Sequence, residues 1–420
     1  MTGAIGQKLP NRWVVLLLLL GIAIFNHADR FLLAGLVDPI KHEFDVSDSF
    51  MGLLMGPAFA VFYSSLAIPI AIYADRANRV RIIVAGCVIW SLFTILSGYA
   101  ASPTQLALAR VGVGVGEAAF QAPAYSLIAA YFAPEQRGKA FAVIALSTYF
   151  GQMLGYGAGP AIAEVQDWRF AFKLFGLIGL GIIALAWLII REPARGQAAT
   201  VRAAFLPLVA RTFRLASYRG MMFGMGLGVL SGIAFGFWGP TLFSRSFDMT
   251  MAEAGSAFGG AFVIPGMLGA IMFGIIADKV ARRGYGSMLI LSAIALAAAT
   301  AAVIGASWAS SLGVALAWAV PAGLFGGGWA VGIYAGLQYI LPDNLRATGT
   351  AIAMLAVNLL GYVIGPWLAG ALSDQFGEGA LGLQQALSVV LPIGFVGTLL
   401  LWRAAKSLEA DRDTLQAQEK

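Results

Sequence analysis

Twelve long apolar stretches follow one another along this chain, at roughly 13–37, 50–74, 81–100, 105–131, 138–163, 170–190, 218–243, 253–277, 286–304, 310–341, 346–372 and 383–403. Each is long enough to cross a bilayer, because ~20 residues of helix span the hydrocarbon core. Lipid offers the backbone no hydrogen bonds, so such a segment must satisfy its own N–H and C=O groups and form a helix. The pattern predicts an all-α integral membrane protein with twelve transmembrane helices. Composition agrees: 59% of the 420 residues are hydrophobic and 11% are charged, against about a quarter charged in soluble domains. A soluble fold of this composition would expose large apolar patches and aggregate. The first apolar run is too long for a cleavable signal, lacks a small-residue cleavage site and holds an ion pair, so it is expected to remain a span.

Basic residues set the orientation. Alternate loops hold nearly all of them. Six (Arg191, Arg195, Arg202, Arg211, Arg214 and, at the edge of the seventh stretch, Arg219) belong to the middle loop, while the opposite side has only Lys41, Arg169, Lys173 and Arg245. Both termini and the middle loop are therefore expected in the cytoplasm. The net charge of +6 follows this membrane asymmetry rather than a nucleic-acid patch, so no nucleic-acid partner is expected. Cys87 is the only cysteine, which excludes an intrachain disulfide.

The two halves of the chain look alike. "IYADRANR" (72–79) closes the second stretch and "IIADKVAR" (275–282) the eighth. "FAPEQRGKA" (132–140) precedes the fifth and "LPDNLRATG" (341–349) the eleventh. "GQMLGYGAGP" (151–160) matches "NLLGYVIGP" (358–366). The offsets from Asp75 to Asp278 (75 to 278) and from Pro160 to Pro366 (160 to 366) are 203 and 206. These landmarks predict an internal duplication: an N-terminal six-helix bundle over 1–190, a linker over 191–217, a C-terminal six-helix bundle over 218–405 and a cytoplasmic tail over 406–420. Transporters are commonly built from such repeats, with the substrate site at their interface.

Two six-span halves, the turn "ADRANR" with its echo "ADKVAR", and G-x-x-x-G-P in the fifth span resemble the major facilitator superfamily across essentially the whole chain. The turn motif departs from the family pattern at Ala71 and Asn78, where the family usually has Gly. Within the superfamily, "NHADR" (26–30) and "RVGVGVGEAAFQAP" (110–123) look most like the Spinster group of lipid transporters. The resemblance implies two rocking bundles, alternating access, and proton-linked movement of lysolipids, sphingoid phosphates or similar amphiphiles.

Four charges lie well inside spans: Asp29 and Arg30 in the first, Arg110 and Glu117 in the fourth. A charge at a helix centre costs ~2.5–3.5 kcal/mol on insertion scales, so these residues need a reason to be there. Arg110, Gly114, Glu117 and Gln121 follow the helical period and share one face. In the superfamily fold the first and fourth spans line the central cavity, so the four charges are expected to converge with no net charge. A cation beside a carboxylate favours its ionised form and burial disfavours it. Movement of an Arg would therefore switch proton affinity. Asp29 and Glu117 are read as proton carriers, with Arg30 and Arg110 as modulators or anion hooks. The competing reading is a pair of buried ion pairs that only fix packing.

The second half has no charge at its span centres. Its polar candidates are Trp238, Thr241, Tyr334, Gln338 and Asn358. A charged wall opposite an apolar, aromatic one suits a substrate with a polar head and a greasy body, and suits a sugar poorly. The expected substrate contacts are Asn26, His27, Gln121, Trp238, Tyr334 and Asn358. His27 can also be read as a hydrogen-bonded packing residue, and His42 as a loop residue.

The resemblance also implies a cytoplasmic gate at Asp75, Arg76 and Arg79, with Arg137 and Asp278 as partners. Gly151, Gly155, Gly159 and Pro160 form a small-residue face, a pattern associated in the superfamily with exchangers, which favours proton/substrate antiport. "VRAAFLPLVARTFRLAS" (201–217) reads as an interfacial amphipathic helix, and the tail "LEADRDTLQAQEK" as a fraying one. The expected protein is a monomer in a bacterial inner membrane, with a small amphiphilic substrate and the lipid bilayer as partners. No cofactor or metal is expected, the proton gradient being the energy source. The alternatives are a transporter of a small organic anion held by Arg30 and Arg110, or a multidrug exporter. An enzyme is not expected, since no metal-ligand cluster or nucleotide loop is present and Cys87 has no plausible base.

Overall fold

The computed structural model describes residues 9–74, 76–193, 213–341 and 346–417, and every regular element among them is a helix. Among the described residues ten helices are long and apolar enough to cross a membrane. In chain order they are α1 (Arg12–Gly35), α2 (Asp48–Ala74), α3 (Arg79–Ser97), α6 (Trp168–Ile189), α7 (Ala216–Phe247), α8 (Met251–Arg283), α9 (Tyr285–Ser307), α10 (Leu312–Ile340), α11 (Gly349–Gln375) and α12 (Gly379–Thr414). The remaining two runs, α4 (103–131) and α5 (134–165), are each interrupted, which brings the helical runs of spanning length to twelve.

The interruptions have local causes. α4 starts where the Ser102 side chain accepts from the Gln105 N–H, with Pro103 in the first turn. Its helix stops at Glu117 and resumes at Gln121. Between them Ala119 and Phe120 bond back only three residues, to Gly116 and Glu117, a tighter turn than the α-helix. α5 widens into a π segment at Leu154–Ala158, just before Pro160. α11 does the same at Leu359–Ile364, before Pro366. Proline lacks the N–H and crowds the carbonyl one turn back, and the wider turn accommodates it. The duplicated sequence landmark is thus a duplicated backbone feature.

Glycines decide how closely these helices approach. A Cβ on Gly155 would lie 2.7 Å from the Phe31 carbonyl carbon and 2.8 Å from the Leu32 nitrogen, and one on Gly151 would lie 2.8 Å from the Ala28 nitrogen. From the other side, a Cβ on Gly35 would lie 2.8 Å from the Gly155 carbonyl oxygen. α5 and α1 therefore touch backbone to backbone. In the second half Gly365 meets the Leu230 carbonyl of α7 in the same way, while Gly361 faces the Val229 side chain.

The described residues form two compact units. One holds α1 and the chain from Val61 through α6; the other holds Val37–Ala60 and α7–α12. α2 is thus shared: its first part, which breaks at Gly56, belongs with the second unit, although its sequence lies within the first half. The core of the first unit is built on Leu16, Leu19, Ile22, Ile83, Trp90 and Ile128. That of the second is built on Tyr218, Met221, Leu289, Leu296, Leu337 and Leu401. Large aliphatic side chains such as Leu17, Leu108, Leu188 and Leu381 are exposed, as suits a surface solvated by acyl chains.

Two expectations fare differently at the polar segments. Residues 201–212 of the anticipated interfacial helix, and Asp75, lie outside the described residues. The tail does not fray where the sequence predicts: helix continues to Ala417. Asp411 Oδ2 accepts from the Ser217 N–H (2.7 Å) and hydroxyl (2.6 Å), satisfying the start of α7. Glu409 accepts from the Tyr339 hydroxyl at 2.7 Å, and the Arg412 guanidinium lies 3.9 Å from the Tyr339 ring centre.

The glycine contact is testable. Gly155→Ala is expected to destabilise the protein by about 1–3 kcal/mol, because backbone atoms of α1 cannot yield as a side chain would. Gly181→Ala, where a Cβ meets nothing within 4 Å, is expected to be neutral or slightly stabilising. Thermal unfolding of the detergent-solubilised variants checks both.

Candidate functional site

Adjacent residues on a helix point about 100° apart, and in α1 this sends Asp29 and Arg30 to different partners. Arg110 Nη1 donates to Asp29 Oδ2 at 2.7 Å, and the Thr94 hydroxyl of α3 donates to Asp29 Oδ1 at 2.8 Å. Arg30 Nε donates to Glu117 Oε2 at 2.6 Å, and Arg30 Nη2 to Asn26 Oδ1 at 3.3 Å. Arg110 and Glu117 sit two turns apart on one face of α4. The four charges therefore form two ion pairs inside the first unit, as the sequence leads one to expect of their convergence.

The pairs differ in how well they are satisfied. The Asp29 and Arg110 side chains are 2% and 1% exposed, and both Asp29 oxygens accept hydrogen bonds. Glu117 is fully buried while Arg30 keeps 12% exposure. Glu117 Oε1 and Asn26 Nδ2 are buried and have no hydrogen-bond partner among the described residues. Glu117 also ends the upper half of α4, next to the tightened turn at 118–120. One acid is thus held from both sides, and the other is half satisfied, beside a cation that reaches the surface.

The other anticipated contacts divide. Gln121 is exposed and accepts from the Tyr63 hydroxyl at 2.9 Å. His27 makes its hydrogen bonds away from the ion pairs: its Nδ1 donates to the Ala23 carbonyl at 2.8 Å and its Nε2 lies 3.2 Å from the Thr148 hydroxyl. It fills the α1–α5 contact, the packing alternative. Trp238 is fully buried, its indole N–H donating to the Pro366 carbonyl at 2.8 Å, so it packs α7 on α11 rather than offering a free wall. Thr241 is likewise buried. In the second unit Tyr334 is exposed and its hydroxyl lies 3.4 Å from the Met354 sulfur. Gln338 donates to the Thr350 hydroxyl, and Asn358 is half-buried before the π segment of α11.

Of the anticipated gate residues, Arg79 is buried within its own unit. It donates to Glu192 Oε1 at 2.7 Å and to Ser126 at 3.0 Å and 3.1 Å, while Glu192 Oε2 also accepts from the Val80 N–H. Arg137 donates to the Phe132 carbonyl, and Arg76 and Asp278 are exposed.

Sequence reasoning missed a second charged cluster, wholly within the second unit. Arg245 at the end of α7 binds Asp38 at 2.7 Å and Asp48 at 2.9 Å. Lys41 binds Asp48 at 2.8 Å and Glu378 at 2.9 Å. Asp374 accepts from the Asp48 and Ser49 N–H groups and from the Ser49 hydroxyl, capping the start of α2. Burial disfavours the Lys41 ammonium, but its hydrogen bonds to Asp48 and Glu378 outweigh this and hold its pKa above the usual lysine value. The signal was present: Asp38, Lys41 and Asp48 crowd one short connection, and Arg245 is the lone base of its loop.

Comparison with known proteins gives this geometry a setting. Residues 19–361 match the model of the Major Facilitator Superfamily. An MFS-type efflux pump of Mycolicibacterium smegmatis is 29% identical over 96% of this chain and 95% of its own length. Protein spinster homolog 1 of Xenopus tropicalis is 28% identical over 95% and 81%. A crystal structure of a bacterial homolog to the human lysosomal transporter Spinster, in an inward-facing and unoccupied conformation, superposes with a TM-score of 0.86 at 27% identity, covering 97% of this chain and 99% of that one. Its inward-facing, occupied counterpart gives 0.85 at 26%.

Removing one partner of a buried pair strands the other. Arg110→Met is expected to cost about 3–5 kcal/mol, and the double variant Asp29→Asn with Arg110→Met to recover most of it. Arg245→Ala, which leaves the buried Asp48 carboxylate with Lys41 as a remaining cation, is expected to cost less than Arg110→Met. Thermal unfolding in matched detergent measures each.

Proposed function

The chain belongs to the Major Facilitator Superfamily, and from that premise we propose that it is a proton-coupled secondary transporter of an amphiphile, of the lysolipid or sphingoid phosphate class. That it is a multi-pass membrane transporter related to Spinster proteins follows from the family and the fold; coupling and substrate are the proposal. One observation carries the coupling: Glu117 is a buried acid with one oxygen held by Arg30 and the other without a hydrogen-bond partner among the described residues. Such a group takes up a proton when its cation moves off and releases it when the cation returns. Asp29, with both oxygens engaged, serves as the fixed counter-charge of Arg110 and the second carrier.

The substrate class rests on polarity. The first unit offers the partly exposed Arg30 and the exposed Gln121 to a polar or anionic head, with Asn26 buried behind Arg30, whereas the central turns of α7–α12 carry no charged side chain among the described residues. The distribution of Lys and Arg supports cytoplasmic termini, and the bacterial relatives support an inner membrane. The similarity to a mycobacterial efflux pump favours a second reading, export of an amphiphilic drug-like compound by the same charges. A small organic anion gripped by Arg30 and Arg110 is the third.

Reconstituted liposomes test the coupling. Glu117→Gln is expected to lose at least tenfold of the uptake of a labelled long-chain lysolipid driven by an imposed pH gradient, while still exchanging it without a gradient. Asp29→Asn is expected to lose gradient-driven uptake too. Wild-type gradient-driven uptake by both variants would overturn the proposal. Displacement of the label by short carboxylates instead of lysolipids would favour the organic-anion reading, and displacement by cationic drugs the export reading.

A further inference from the structure

Arg30 has a third neighbour besides Glu117 and Asn26. Its guanidinium carbon lies 4.6 Å from the ring centre of Tyr63, well inside the ~6 Å over which an aromatic face holds a cation. The ring is itself fixed, because the Tyr63 hydroxyl donates to Gln121 Oε1 at 2.9 Å. Gln121 lies four residues after Glu117, just past the break in α4. A closed circuit results: Glu117 to Arg30, Arg30 to the Tyr63 face, and the Tyr63 hydroxyl back to the helix that carries Glu117. The guanidinium is bounded by the carboxylate at its edge and by the ring on its face, which restricts the arc it can sweep.

The place of Tyr63 in the fold gives this circuit a use. The division between the two compact units falls within α2, between Ala60 and Val61, and Tyr63 is less than one turn beyond it. The earlier part of α2 lies with the second unit, where a Cβ on Gly52 would meet the Pro366 carbonyl at 2.6 Å and one on Gly56 the Val363 carbonyl at 2.8 Å. Tyr63 itself stands beyond the break at Gly56, on the helical part Pro57–Ala74, so a shift of that part would carry the ring relative to Arg30.

We propose that Tyr63 is a positioning residue that holds Arg30 on Glu117, and that its withdrawal with α2 releases the carboxylate for protonation. The proposal rests on Glu117 being a proton carrier and names the part that moves its counter-ion. The other ionisable groups that act on the pair are Asp29 and His27 from α1, Cys87 from α3 and Arg110 from α4, while Tyr125 of α4 acts on Tyr63.

The test titrates the acid directly and needs no substrate. Difference infrared spectroscopy follows the protonated-carboxyl band of the purified, reconstituted protein against pH, with the Glu117 component assigned by its loss in Glu117→Gln. Tyr63→Leu removes the face that holds Arg30. Loosening a cation lets the acid keep its proton to higher pH, and the midpoint is expected to rise by about one unit, a tenfold gain in proton affinity. Tyr63→Phe keeps the face and drops only the hydroxyl, and is expected to stay within about a third of that shift. If Tyr63→Leu does not fold, Tyr63→Met is read in its place. A wild-type midpoint in the leucine variant, or an equal shift in the phenylalanine variant, overturns the role of the ring while leaving the proton-carrier reading standing. A wild-type titration unaffected by Glu117→Gln overturns the carrier reading itself, and this proposal with it.

Discussion

A charge in a hydrocarbon slab must find its counter-charge within reach of its own side chain. Water is not there to screen it, and the cost of leaving it alone exceeds most packing terms. That requirement organises the first unit. Asp29 and Arg30 cannot share one partner, since neighbouring helical positions diverge, so α1 needs an acid and a base on the facing helix. Arg110 and Glu117 supply them, two turns apart. Pairing gives neutrality but not equality: Thr94 completes the coordination of Asp29, while among the described residues no partner reaches Glu117 Oε1. Two similar ion pairs thus hold their acids unequally: both Asp29 oxygens are engaged, and one Glu117 oxygen is.

Most of the architecture was legible because hydropathy dominates it. Lipid forces long apolar runs into helices, and the twelve runs of the structure lie close to those predicted. α4 and α5 were predicted as uninterrupted spans, and each proved to be broken. Composition windows cannot register a local change of hydrogen-bond pattern at 118–120 or 154–158, although Pro160 hinted at the second. The division of α2 between units was not legible at all. Hydropathy reports that a segment is buried in lipid, not which neighbour it follows.

The charged site was legible in membership and only partly in connectivity. Helical period places Arg110, Glu117 and Gln121 together, but which acid takes which base depends on rotation of α1 about its axis, which its nearly uniform apolar surface does not encode. Trp238 shows the opposite failure. An indole in an apolar helix can face a cavity or a neighbour, and here its N–H is spent on Pro366. Tyr63 was overlooked for a related reason: nothing in "AVFYSS" distinguishes a ring that carries a cation from one that meets lipid. Asp38, Lys41 and Asp48 crowd one connection, but their pairing with Arg245 spans 197 residues of sequence, which no local pattern reports.

The backbone contact between α1 and α5 has a mechanical consequence. Helices that mesh through long side chains can slide or roll as rotamers rearrange, whereas two bare ridges locked at Gly151, Gly155 and Gly35 have no such slack. α1 and α5 therefore behave as a single beam, and Asp29 and Arg30 are mounted on it. Their distance from α4 can change by swinging the guanidinium arm or by bending the whole beam at its π segment, but not by screw motion of α1 alone.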